Sequence, residues 1–234
     1  MGLFGSKKNP EDLKYDAMAM MEKNQPKAAI SLFNKILKQN ESDEDVLLNK
    51  GLALNQIKKY SDAITCFDKL LEIDPKNAQA LNNRGISMAE NGNIQEASEC
   101  YDKAIEADPR YAASYFNKGV LLDKLQEHED ALTALEKAIS VDSRKPNAMV
   151  YKGIVLGKLK RHEEALNCFQ NICKKYPNNQ DAFFQKGVQL AELGRHEKAI
   201  AVFDEILKKY KDNVNVIYAK SRSCAALDKI PESM

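Results

Sequence analysis

Residues 78–111 read AQALNNRGISMAENGNIQEASECYDKAIEADPRY, and the placing of one glycine, one alanine and one large apolar residue in that stretch decides the fold. Leu81 and Met88 flank Gly85 at helical spacing, Asn91-Gly92-Asn93 breaks the pattern, and Ala97 and Tyr101 carry a second apolar stripe that ends before Pro109. Apolar residues recurring at helical intervals mark one face of a helix, and an Asn-Gly break marks a turn. Proline pushes the residue before it out of the helical region. The stretch therefore predicts two short helices joined as a hairpin.

The same spacing repeats in both directions. Half of the ten glycines, Gly51, Gly85, Gly119, Gly153 and Gly187, fall 34 residues apart. Twelve residues after each stands Ala63, Ala97, Ala131, Ala165 or Ala199, with Ala29 extending the column backwards. Sixteen after stands Phe67, Tyr101, Leu135, Phe169 or Phe203, with Phe33 before them. Four before stands Leu47, Leu81, Tyr115, Met149 or Phe183. A fixed period of this length means units that bury their apolar faces by stacking on one another. Glycine and alanine recur because two helices approach closely only where side chains are small. Pro75 and Pro177 repeat the position of Pro109, whereas Glu41, Ser143 and Lys211 replace it elsewhere.

These columns resemble the tetratricopeptide repeat, whose 34-residue unit places an apolar residue, Gly, an aromatic or Leu, Ala, Phe and Pro at such intervals. The resemblance implies an all-α fold, a right-handed superhelical solenoid of antiparallel helix hairpins. Residues 1–9 are read as an N-terminal tail and 10–234 as the array, with units 10–43, 44–77, 78–111, 112–145, 146–179 and 180–213 and a terminal helix at 214–228. That helix is expected either to cap the array or to open a seventh unit of a longer protein. The chain departs from the family just before the glycine, where the usual Leu is basic: Lys50, Arg84, Lys118, Lys152, Lys186 and Lys220. Seventeen residues after the glycine come Asp68, Asp102, Glu136 and Asp204, with Gln170 as the exception. Two columns of opposite sign are expected to pair, with the long basic stems covering apolar surface.

Composition narrows the function. In 234 residues, 35 Lys and Arg face 34 Asp and Glu, a net charge of +1, which argues against a nucleic-acid partner. The apolar share of 44% supports a substantial core. No apolar run is long enough for a membrane span or a signal peptide, so a cytoplasmic location is expected. Five cysteines without a CxxC pair argue against a disulfide framework. His128, His162 and His196 share one column in successive units. Neighbouring helices lie about 8–10 Å apart, whereas zinc needs ligands within ~2 Å. The histidines are therefore read as packing residues opening the second helices, and neither a metal nor a cofactor is expected. No nucleophile and base, phosphate loop or HExxH spacing occurs, so the chain is read as non-catalytic.

In the family, first helices line a concave surface, and the residue two before the glycine often meets the backbone of a bound peptide. Here that column includes Asn49, Asn83, Asn117, Tyr151 and Gln185. Amides both donate and accept, as an extended peptide requires. Leu52, Asn82, Ile86, Phe116 and Val120 stand beside them and would make an apolar groove. Some family members grip a terminal carboxylate with two Lys, two Asn and an Arg. Lys14 and Asn49 match that set, but Met18, Gln79 and Asn83 do not, so this ligand class is rejected. The expected partner is a protein or peptide segment. One alternative is a self-associating array whose groove takes the terminal helix of another copy. The other is a membrane-recruited adaptor: Gly2 followed by Ser6 fits the N-myristoylation pattern, with Lys7-Lys8 as a second contact.

Overall fold

The structure, a computed structural model, describes residues 9–228. Among them there are thirteen α-helices and no strand. The first helices of the successive hairpins are α1 (Pro10–Glu22), α3 (Glu44–Gln56), α5 (Ala78–Glu90), α7 (Ala112–Lys124), α9 (Pro146–Lys158) and α11 (Gln180–Glu192). The second helices are α2 (Pro26–Leu37), α4 (Tyr60–Ile73), α6 (Ile94–Ala107), α8 (His128–Val141), α10 (His162–Lys175) and α12 (His196–Lys209), and α13 (Val214–Asp228) follows. The chain divides into two compact units, one ending at Lys118 and one starting at Gly119, so the division falls within α7.

Local chemistry sets where each helix starts and stops. Asn9, Asp43, Asn77, Asn179 and Asn213 cap α1, α3, α5, α11 and α13 by accepting from the backbone N–H three residues on, at 2.8–3.3 Å. First helices end in a left-handed residue: Asn24, Lys58, Gly92, Gln126, Lys160 and Gly194 all have positive φ. The next N–H then reaches back to a carbonyl five residues earlier, as from Lys59 to Leu54 at 2.9 Å and from Arg161 to Leu156 at 2.9 Å. Gly92 and Gly194 adopt this conformation freely and Asn24 tolerates it, so tertiary packing overrides the usual preference at Lys58, Gln126 and Lys160. Second helices stop at Ile73, Ala107, Val141, Lys175 and Lys209 whether proline or Ser143 or Lys211 follows.

In the unit ending at Lys118, Ala29, Phe33, Ala63, Phe67 and Ala97 are at most 1% exposed, and Tyr101 is buried with them. Burial raises the Tyr101 phenol far above its ordinary value, so it packs as a neutral ring. In the unit starting at Gly119, Ala131, Leu135, Ala165, Phe169, Ala199 and Phe203 are fully buried. The glycine column explains how the paired helices fit. A Cβ on Gly51 would lie 2.5 Å from the Phe67 ring, and one on Gly153 2.5 Å from the Phe169 ring. The large residue sixteen positions on occupies the space that glycine leaves open.

Candidate peptide-binding face

The residues expected to form the face differ in burial from one first helix to the next. In the unit ending at Lys118, the asparagines are held by specific bonds. Asn49 Nδ2 donates to the Asp45 carbonyl at 2.8 Å, and Asn83 Nδ2 donates to the Gln79 carbonyl at 2.8 Å. Asn117 Nδ2 donates across to Asn82 Oδ1 at 2.9 Å. One amide N–H of each is thus committed, while the side-chain oxygens of all three accept no hydrogen bond among the described residues. Asn83 is 8% exposed and Asn82 only 2%, so Asn82 stands behind the surface and orients Asn117. Leu52, Ile86 and Phe116 are half-buried beside them. Lys14, one of the two residues matching a carboxylate clamp, is bound to Asp43 at 2.9 Å.

In the unit starting at Gly119, Val120 and Gln185 are half-buried, and Tyr151 donates its hydroxyl to Asp123 Oδ2 at 3.0 Å. Sequence reasoning passed over Asp123. Its side chain is 2% exposed, and Lys158 Nζ donates to both oxygens at 2.8 and 2.6 Å. His128 Nδ1 lies 3.0 Å from Asp123 Oδ1 but is not aligned as a hydrogen bond. Burial alone would raise the Asp123 pKa, yet the bonds from Lys158 and Tyr151 hold it below its ordinary value. Burial and the same carboxylate push the Tyr151 phenol up to about 12. The cluster leaves none of Asp123's acceptors facing solvent and reads as an internal strut between first helices.

The opposed charge columns meet. Arg84 pairs with Asp68 at 2.6 Å, Lys152 with Glu136 at 2.7 Å and Lys220 with Asp204 at 2.6 Å, and Lys118 pairs with Asp102. Each joins a first helix to the preceding second helix. Lys186, opposite Gln170, sits over the Phe183 ring instead, 5.9 Å from its centre. His128, His162 and His196 open α8, α10 and α12. His162 Nδ1 meets Gln189 Oε1 at 2.9 Å, and among the described residues no three His, Cys, Asp or Glu side chains converge as a metal set. The cysteines are free, and burial pushes the thiols of Cys66, Cys100, Cys168 and Cys173 up, away from nucleophilic character. Among the described residues no helix is long and apolar enough to cross a membrane, and Gly2 lies outside those residues.

A family model described as TPR repeat matches residues 51–92, and one described as Tetratricopeptide repeat matches residues 82–148 and 152–214. No curated protein matches the chain in sequence. Among solved structures, YrrB, described as a TPR protein with an unusual peptide-binding site, is 26% identical with a TM-score of 0.65, over 81% of this chain and 97% of its own. MamA is 26% identical with a TM-score of 0.60, over 68% of this chain and 93% of its own. A structure of pilF from Pseudomonas aeruginosa has a TM-score of 0.76 over 91% of this chain and 97% of its own, and at 15% identity its likeness is one of fold.

Proposed function

Because the chain belongs to the tetratricopeptide repeat family, a family of protein-interaction scaffolds, we propose that it works as a non-catalytic, cytoplasmic scaffold that holds a peptide or helix of a partner protein against its first helices. The observation that carries this reading is the set of three asparagines on successive first helices, Asn49, Asn83 and Asn117, each with an amide N–H already tied down and an oxygen still open. Side chains held in one rotamer before binding lose little entropy on binding. Open oxygens aligned on one face accept from the N–H groups of an extended segment. Leu52, Ile86 and Phe116 supply half-buried apolar surface in the same unit, while Val120, Tyr151 and Gln185 are the corresponding residues of the unit starting at Gly119. YrrB, whose description names a peptide-binding site, is consistent with a peptide ligand.

The test is recovery of partners from a lysate of the source, comparing the wild type with Asn83→Ala/Asn117→Ala. Partner recovery is expected to fall while the circular dichroism spectrum is retained. Equal recovery of the same partners by a folded double variant would remove the asparagines from the site.

A further inference from the structure

The charge columns lack an acid at two places: Lys186 sits over the Phe183 ring, whereas Lys50 lines open space. Lys50 occupies the basic position of α3, but its counterpart on α2 is Asn34, not a carboxylate. Among the described residues Lys50 has neither an ion pair nor a hydrogen bond. One hairpin on, the same basic position is paired. There Arg84, on α5, reaches Asp68 of α4 through Nε at 2.6 Å and Cys100 Sγ of α6 through Nη1 at 3.0 Å. Between α2 and α4 the shorter Lys50 has only Cys66 and Asn34 in the matching places, and a cavity of about 600 Å³ remains.

The lining of this cavity has a definite chemistry. Its floor is apolar, with Leu37, Leu47 and Leu54. Its wall and rim carry four lysines, Lys38, Lys50, Lys59 and Lys69, against two carboxylates, Glu41 and Asp62. Asp62 is engaged with Lys59 at 3.5 Å, which leaves the excess positive charge around Lys50. The positive field at the floor also registers on Cys66: burial raises its thiol, and Lys50 pulls it back. In the other hairpins, the group that meets this basic position is in every paired case a carboxylate of Asp or Glu on a neighbouring helix.

We propose that the groove between α2 and α4 is a second docking site, in which an acidic side chain of a partner protein supplies the carboxylate that Asn34 withholds from Lys50 while an adjacent apolar side chain of the partner fills the cavity floor. The site lies between α2 and α4 with Leu47, Lys50 and Leu54 of α3 behind it, and Asn49, Asn83 and Asn117 do not line it. A partner could therefore occupy both sites, gaining from effective concentration, or two partners could bind at once. The attraction is electrostatic at the rim and apolar at the floor, so affinity falls as ionic strength rises.

The experiment uses the full chain and a fluorescein-labelled, end-blocked peptide of alternating glutamate and leucine, followed by anisotropy. Asn34→Asp installs the missing acid and adds a contact rather than removing one, so it preserves the fold. It is expected to weaken peptide binding at least about tenfold while the thermal unfolding temperature stays level or rises. Lys50→Gln is expected to weaken binding similarly, and a peptide with glutamine in place of glutamate should bind far more weakly. Asn83→Ala/Asn117→Ala should bind the probe as the wild type does, which separates this site from the first-helix face. Absence of binding by the wild type, undiminished binding by Asn34→Asp, equal binding of the glutamine peptide, loss of binding in the first-helix double variant, or displacement of the probe by inorganic pyrophosphate as readily as by unlabelled peptide would each overturn the proposal.

Discussion

Asp123 departs most from the repeat at the level of single residues. It is a carboxylate with 2% of its side chain exposed, kept charged by a lysine and a tyrosine. Its folded pKa lies below the ordinary 3.8, so its contribution to stability is fully present above that value and fades as pH falls through the lower folded value. Asp123→Asn should therefore cost about 2 kcal/mol at neutral pH, the scale of a buried hydrogen bond to a charged group. Urea denaturation at neutral and at acidic pH checks this, and the gap between the two proteins should narrow in acid. The sequence did not announce the cluster. The position four after the glycine holds Asn55, Ala89, Asp123, Gly157 and Ala191, which follows no rule, and the partners of Asp123 lie 28 and 35 residues on. A period of 34 exposes what is constant between hairpins and hides what one hairpin does alone.

Among the elements, the hairpin was legible because its columns are steric. Glycine, alanine and the large residue sixteen positions on must coincide wherever two helices cross closely, so the sequence repeats them. Gly153→Ala would place a methyl 2.5 Å from the Phe169 ring, and Phe169 is fully buried with nowhere to turn. Overpacking of this kind is expected to cost about 1–3 kcal/mol. The midpoint of chemical denaturation should fall accordingly, with binding of a first-helix partner unaffected at saturating concentration. The candidate face was only half legible. The column of asparagines follows from the spacing, but the choice of Asn49 and Asn83 to bond their own helix carbonyls is local side-chain competition with the backbone. Asn117 turns to Asn82 because of a side chain 35 residues away. Helix capping was readable in principle at 34-residue intervals from Asn9, but Tyr111 and Lys145 interrupt that column and obscure it.

Across the whole molecule, the charge columns couple one hairpin to the next at four of six junctions among the described residues. In every pair the basic residue stands sixteen positions after its acid, as with Arg84 and Asp68 or Lys118 and Asp102. Removing residues 78–111 as a block would bring Lys118 opposite Asp68, the place Arg84 now holds. The shortened chain is expected to fold cooperatively, with helical signal reduced by one hairpin in circular dichroism. Collapse to an aggregate or a non-cooperative melt would contradict the common coupling. Such a connector works like a standard thread on pipe fittings: any section bearing it joins any other. A lineage can then lengthen or shorten the array by duplicating or dropping whole modules, without inventing a new joint each time. Lys50, which lacks its acid, is a threaded end left open to parts from outside.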